Sequence, residues 1–143
     1  MSGPVVVLDT NVLVAAMRSR RGASFQLLER LGTDAYEIVI SVPLVLEYED
    51  ALLRRRGVLS AEQITDLVDY VCRVGRRQQI FYLWRPLLRD PKDDMVAEAA
   101  VAGGADAVVT HNRKDFAGLQ QFGVRVLSPQ EFLQMIGGRP WAR

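Results

Sequence analysis

The sequence predicts an α/β domain, a three-layer α/β/α sandwich around a central, mostly parallel five-stranded sheet. Short apolar strand candidates alternate with amphipathic helical segments, a pattern typical of a parallel sheet with helices on both faces. The strand candidates are apolar throughout, as expected for strands that are buried on both sides. The chain of 143 residues is long enough to form one core. We therefore predict a single domain over residues 1–138 and a short C-terminal tail over residues 139–143.

Composition excludes several classes of protein. Apolar residues make up 49% of the chain, which excludes a disordered protein, and the net charge of +1 favours no class of partner. No apolar run reaches the roughly 18 residues that a membrane span needs. The single cysteine, Cys72, rules out an internal disulfide and fits a reducing compartment, so we expect a cytoplasmic protein. With one Cys and one His in the chain, we expect oxygen ligands at any metal site.

The first half of the chain alternates apolar strand candidates with helical stripes. Its helix candidates begin at polar capping residues, and one of them has proline in its first turn. In order, we predict a strand at Val5–Leu8 that ends in Asp9, a helix capped by Thr10 or Asn11, a helix with its apolar stripe at residues 25–31, a strand at residues 36–40, and a helix that starts at Ser41.

The second half repeats this alternation. Two capping boxes and one Asp-Pro step mark the starts of its helices. In order, we predict a helix with a capping box of Ser60 and Gln63, a strand at residues 79–83, a helix opened by Asp90 and Pro91, strands at residues 106–110 and 124–127, and a last helix with a capping box of Ser128 and Glu131.

Four carboxylates fall at or after the ends of strands, or on a helix that follows one. Asp9 ends the first strand, and Glu47 lies on or beside the apolar stripe of the helix after the second strand. Asp93 lies in the first turn of its helix, and Asp115 follows the fourth strand by a few residues. Parallel strands all point the same way, so the segments that follow them begin at one edge of the sheet. We therefore expect these four acids to converge there.

A cluster of carboxylates in a cleft indicates a bound cation. The acids repel one another and burial adds to the cost, so the cluster persists by taking up protons or by binding cations. Mg²⁺ and Mn²⁺ suit sites made only of oxygen ligands, and one or two such ions can serve hydrolysis of a phosphate ester. Taken singly, Asp93 is also explained by the helix dipole, and Asp115 by a turn. Three other acids are expected at the surface or in turns: Asp94, Glu98 and Asp106.

These blocks together resemble the PIN domain family, and within it the toxin components of type II toxin–antitoxin pairs that are related to VapC. The resemblance covers nearly the whole chain and rests on four acidic blocks in the family's order. They are Val-Val-Leu-Asp9-Thr-Asn11-Val-Leu, Leu-Val-Leu-Glu47-Tyr, Asp90-Pro-Lys-Asp93-Asp before an Ala-rich helix, and Val-Val-Thr110 followed by Asn112 and Asp115-Phe116.

The resemblance implies a metal-dependent endoribonuclease that uses Mg²⁺ or Mn²⁺ and acts on an RNA substrate. By position, Asp9, Glu47 and Asp93 match the three metal-site acids of the family, and we take Asp115 as the fourth. The resemblance also implies a cognate antitoxin, and we expect a homodimer or higher homo-oligomer. Much of this branch has Thr-Gly-Asp after the fourth strand, whereas this chain has Thr110, His111 and Asn112 at that place, which puts a tightly held second metal in doubt.

Supporting roles follow for several polar and basic residues. We expect Asn11 to hold Asp9 by a hydrogen bond, and Thr110 and Asn112 to support Asp115. His111 stands near the expected pocket, and three roles are open for it: a bystander or an RNA contact, which we favour, and a general acid. The basic cluster after the first helix is the set we favour for RNA phosphates: Arg18, Arg20 and Arg21.

Other functions remain open on the sequence alone. A house-keeping RNA-processing nuclease of the same family would use the same residues, and a non-catalytic PIN domain would bind RNA or protein. A phosphoryl-transfer enzyme of the haloacid dehalogenase type needs a second Asp where this chain has Asn11. A receiver-like signalling module needs an Asp at the end of its third strand, where this chain has Leu83, Trp84 and Arg85.

Overall fold

A computed structural model of the chain describes residues 3–80 and 91–138. Five parallel strands form one sheet in the order β3-β2-β1-β4-β5, which confirms the predicted parallel α/β architecture. The strands are β1 (Val5–Leu8), β2 (Glu37–Ile40), β3 (Arg76–Arg77), β4 (Ala107–Val109) and β5 (Arg125–Leu127).

Helices follow the strands and cover the sheet. The α-helices are α1 (Thr10–Arg18), α2 (Ala23–Glu29), α3 (Val42–Arg54), α4 (Ala61–Val74), α5 (Pro91–Ala102) and α6 (Pro129–Gly138). Two 3₁₀ helices lie between β4 and β5, at Arg113–Phe116 and Leu119–Phe122. Across the ranges that the structure describes, every helix is too short or too polar to cross a lipid bilayer.

β1 is the central strand, and its position explains its sequence. It pairs with β2 on one side and β4 on the other, and all four of its residues are buried. Val6 lies in register with Ile38 of β2 and Ala107 of β4, so apolar residues of three neighbouring strands lie side by side here. β-Branched side chains suit such a strand because they pack well on the pleated surface.

α5 lies close against the sheet because its side chains are small. It contacts β1, β2, β4 and α3, and Val96, Ala97, Ala99 and Ala100 are buried. Gly103 follows the helix at a point where a Cβ atom would stand 2.8 Å from a methyl carbon of Val39. The close approach of helix and sheet therefore requires glycine at this position.

The predicted helix starts are mostly confirmed. Ser41 caps α3, with its hydroxyl accepting a hydrogen bond from Leu44 N, and the capping box of Ser60 and Gln63 is complete. At α6, Ser128 N donates to Glu131 Oε1 while Glu131 N donates to the Ser128 hydroxyl. These side chains satisfy backbone N–H groups that have no partner within the helix.

The third strand was predicted in the wrong place. Arg76–Arg77 pair with the last two residues of β2, so the strand begins three residues before the predicted range of 79–83. β3 is an edge strand held by backbone hydrogen bonds on one side, and both of its side chains are exposed. No apolar pattern marks such a strand. Residues 81–83, the predicted cap Asp90 and the predicted tail 139–143 lie outside the described residues.

Two further predictions are wrong for reasons of packing. Asp9, rather than Thr10 or Asn11, caps α1, because the helix begins directly at the end of β1. Asp94 and Glu98 were expected at the surface but are 2% and 1% exposed, because α5 is covered by several strands and by α3. Neither of these two carboxylates is without a partner.

We expect Tyr48→Phe to lower the free energy of unfolding by about 1–2 kcal/mol. The Tyr48 hydroxyl donates a hydrogen bond to the Leu8 carbonyl in the core, and the residue is 2% exposed. Urea unfolding measures the change. Tyr70→Phe is the matched control, because its hydroxyl donates to the Leu31 carbonyl at a partly buried position. A loss at Tyr48 no larger than the loss at Tyr70 would contradict the argument.

We expect the capping box of α6 to stabilise the protein less as the pH falls. The hydrogen bond from Ser128 N lowers the pKa of Glu131 from its ordinary value of 4.5. The stability from a lowered carboxylate pKa is present above the ordinary value and is lost as the pH falls through the lowered value. The stability difference between the wild type and Glu131→Gln should therefore be full above the ordinary pKa of 4.5 and should shrink as the pH falls through the lowered pKa. A difference that stayed constant in thermal melts would count against this.

Candidate active site

Asp9 lies at the carboxyl end of the central strand, where the sheet and the first helix meet. Its side chain is buried, with the residue 7% exposed. Oδ2 accepts a hydrogen bond of 2.7 Å from the Thr110 hydroxyl, and Oδ1 accepts one of 2.8 Å from Thr10 N. Since Thr110 directly follows β4 and Thr10 begins α1, three elements fix the position of this carboxylate.

The environment of Asp9 disfavours its negative charge. Burial raises the pKa of Asp9 above its ordinary value. The hydrogen bonds from Thr110 and Thr10 lower it, and the nearby carboxylate of Asp115 raises it further. The site therefore has a buried carboxylate beside a second acid, an arrangement that a proton or a cation stabilises.

An open cavity of about 260 Å³ lies in front of Asp9. All four acids that the sequence singled out line this cavity, although they come from four separate segments of the chain. The residues that line it are Asp9, Thr10, Asn11, Val14, Glu47, Ala51, Arg54, Arg55, Asp93, Asn112 and Asp115.

Glu47 is engaged by a cation of its own helix. Its side chain is 15% exposed, and Oε1 lies 3.6 Å from Nη2 of Arg54. Arg54 also donates a hydrogen bond of 3.0 Å from Nε to Oδ2 of Asp50. Residues seven apart lie close to two helical turns apart, so Glu47 and Arg54 share one face of α3.

The segment after β4 is held by a network of short polar side chains. The Thr110 hydroxyl accepts a hydrogen bond of 3.0 Å from Asn112 N, and Asn11 Oδ1 accepts one of 3.3 Å from His111 N. The His111 ring lies with Nε2 at 3.0 Å from the hydroxyl of buried Ser24. This network fixes the backbone that leads to Asp115.

Asp93 and Asp115 are the other two acids that line the cavity, and they differ in burial. Asp93 is half-buried in the first turn of α5, where a negative charge also complements the helix dipole. Asp115 is exposed in the 3₁₀ helix Arg113–Phe116, which is anchored by the fully buried ring of Phe116. The anchor directs the neighbouring carboxylate toward the cavity.

A sequence profile described as a PIN domain matches residues 5–114, which is most of the chain. The chain belongs to the PIN domain family. No curated protein matches the sequence significantly.

Two solved structures resemble this PIN domain in fold. One is a chain of VapBC2 from Rickettsia felis, solved bound to a DNA fragment from their promoter, with 20% identity, a TM-score of 0.59, and coverage of 87% of this chain and 98% of that chain. The other is a chain of VapBC-1 from nontypeable Haemophilus influenzae, with 17% identity, a TM-score of 0.61, and coverage of 88% and 98%. At these identities the likeness establishes the fold.

Some supporting contacts of this PIN domain differ from those predicted from the sequence. Asn11 was expected to hold Asp9, but its side chain accepts a hydrogen bond from His111 N instead, and Thr110 and Thr10 hold Asp9. The structure also brings Arg54 and Arg55 to the cavity, and neither is among the site residues predicted from the sequence. The seven-residue spacing from Glu47 to Arg54 was the signal that could have found the first of them.

The arginines favoured for RNA lie elsewhere. Arg18, Arg20 and Arg21 are exposed at and after the end of α1 and do not line the cavity. Their role in RNA binding stays a prediction.

The donor chemistry of the cavity fits a hard divalent cation, although the acids are not gathered to ligand distance. All the negatively charged groups that line the cavity are carboxylates, and hard cations prefer carboxylate oxygens as ligands. Within residues 3–80 and 91–138, no group of three or more His, Cys, Asp or Glu side chains is arranged to hold one ion. The carboxylate of Glu47 faces Arg54 in this arrangement.

We expect Thr110→Val to raise the pKa of Asp9 in the metal-free protein, because it removes the hydrogen bond that stabilises the ionised form. A titration followed by carboxyl carbon NMR measures the change. Thr110→Ser keeps the hydroxyl and should leave the pKa close to that of the wild type. Equal pKa values in the wild type and Thr110→Val would show that the hydroxyl does not set the ionisation of Asp9.

Proposed function

We propose that this PIN domain is a metal-dependent endoribonuclease that hydrolyses phosphodiester bonds, and that it is the toxin of a toxin–antitoxin pair in the cytoplasm. The observation that carries the proposal is the convergence of Asp9, Glu47, Asp93 and Asp115 on one cavity. These acids lie far apart in the sequence and on different elements, so local structure alone does not explain their meeting.

The four carboxylates would hold Mg²⁺ or Mn²⁺, as one or two ions. When bound, such an ion lowers the pKa of water and offsets the negative charge of a phosphate. The burial of Asp9 beside three other acids supports a cation at this place, because a positive charge beside a buried carboxylate favours its ionised form.

The protein's own groups position the reaction. Thr110 and Thr10 N orient the carboxylate of Asp9 through two hydrogen bonds, and the Asn11–His111 contact orders the segment that carries Asn112 and Asp115. Arg54 and Arg55 bring positive charge to the same cavity and can contact phosphate oxygens of the substrate. Arg18, Arg20 and Arg21 would contact phosphates farther along the RNA.

A protein partner is part of the proposal. Both fold neighbours described above come from VapBC structures, and we propose a cognate antitoxin for this chain on the same grounds. Self-association as a homodimer or higher homo-oligomer is proposed as well. α3 exposes Val42, Leu46 and Leu53, and exposed apolar side chains on one element favour a contact with another protein.

We expect Asp9→Asn to slow strongly the cleavage of a structured RNA pool in the presence of Mg²⁺ or Mn²⁺. The wild type should cut with either ion and not with EDTA, and the variant should be slower by about a hundredfold or more. Asp66→Asn is the matched control, because this acid is exposed on α4 and does not line the cavity. Cleavage products on a denaturing gel give the rates.

Each alternative predicts a different outcome. Folded wild-type protein that cuts no RNA with either ion would favour a non-catalytic PIN domain that binds RNA or protein. Cleavage without growth arrest, when the chain alone is expressed in a bacterial host, would favour a house-keeping RNA-processing nuclease. Cleavage that survives Asp9→Asn would mean that the active site lies elsewhere.

A further inference from the structure

Arg54 stands between two acids and contacts them with different atoms. Nε donates to Asp50 at 3.0 Å, and Nη2 faces Glu47 Oε1 at 3.6 Å. The first contact has hydrogen-bond geometry, whereas the second is a longer ion pair. The guanidinium therefore lies closer to Asp50, through Nε, than to Glu47, which it faces through Nη2.

The contact with Glu47 is weak enough to exchange. The Arg54 side chain is 47% exposed, and ion pairs at this distance and exposure contribute little to stability. A divalent cation on Glu47 would repel the guanidinium that faces the same carboxylate. Cation binding at Glu47 and the Glu47–Arg54 contact are thus expected to compete.

The released Nη2 edge has a clear alternative partner. Arg54 lines the same cavity as Asp9 and Asp93, and its contact with Asp50 is made through Nε and leaves Nη2 out of that hydrogen bond. The planar guanidinium fork matches the oxygens of a phosphate group. A phosphodiester that enters the cavity would thus meet a cation already in place.

We propose that Arg54 exchanges partners: it neutralises Glu47 in the metal-free site and binds an RNA phosphate once a divalent cation occupies Glu47. This inference rests on the proposed nuclease function and adds a positioning residue with two states. In the absence of metal, Arg54 offsets part of the charge of an acidic cavity. In the presence of metal and RNA, it moves from a carboxylate to a phosphate.

Metal affinity tests the first state without any measurement of catalysis. Isothermal titration with Mn²⁺, in the absence of RNA, should show binding to Arg54→Gln that is about fivefold to tenfold tighter than to the wild type, since a competing positive charge is gone. Arg56→Gln removes the same charge two residues further on, from an exposed residue that does not line the cavity, and should bind Mn²⁺ like the wild type.

RNA affinity tests the second state. With Ca²⁺ in place of Mn²⁺, fluorescence anisotropy of a single-stranded RNA should show several-fold weaker binding to Arg54→Gln. The slope of log affinity against log salt should fall in magnitude by about 0.7, the value for one lost phosphate contact on a single strand. Arg54→Lys keeps the charge and loses the fork, so it should restore the Mn²⁺ affinity of the wild type and only part of the RNA affinity.

The opposite changes in the two affinities distinguish exchange from a simple structural role. An Arg54→Gln protein that bound Mn²⁺ no more tightly than the wild type would overturn the exchange while leaving the metal centre intact. If neither protein bound Mn²⁺, the exchange and the proposed metal centre would both fall. Tighter Mn²⁺ binding with unchanged RNA affinity would overturn the phosphate-bound state.

Discussion

The buried carboxylate of Asp9 is the constraint on which the rest of the site depends. It follows the central strand at the back of the open cavity, and its burial disfavours its charge. Two donors hold it, the hydroxyl of Thr110 after β4 and the backbone N–H of Thr10 at the start of α1. The hydroxyl reaches Asp9 because β1 and β4 pair in parallel register, with Leu8 opposite Val109. The pairing that builds the core therefore also supplies one of the hydrogen bonds that lower the pKa of Asp9.

The negative charges of the cavity are offset by different groups at different depths below the surface. The two hydrogen bonds act on the buried carboxylate itself, and Arg54 acts on Glu47 nearer to solvent. Asp115, at the exposed rim, adds negative charge that raises the pKa of Asp9. A cation stabilises this arrangement most where burial is greatest, because charges interact more strongly away from water. We therefore expect the proposed cation to interact most strongly with Asp9, the most buried of the four acids.

Much of the fold was predictable because its signals are local. β1 and β4 are apolar runs, and β2 and β5 are apolar after their first residues, Glu37 and Arg125. The helix starts at Ser41, Ser60 and Ser128 carry capping residues that act within one turn. β3 was misplaced because an exposed edge strand is held by its backbone and has no apolar pattern. The burial of Asp94 and Glu98 was missed because it depends on how many neighbours cover α5. The extent of the single domain over residues 1–138 stays a prediction.

The sequence by itself determined the strand and helix order, the parallel sheet, and the four acids that line the cavity. These follow from periodicity, from caps and from the rule that segments after parallel strands begin at one edge. The role of these acids as metal ligands stays a prediction. Only the tertiary structure decided that Thr110 rather than Asn11 holds Asp9, and that Arg54 reaches the cavity. The first contact joins residues on different elements, and the second depends on which face of a helix meets the site. Local sequence patterns predict neither of these.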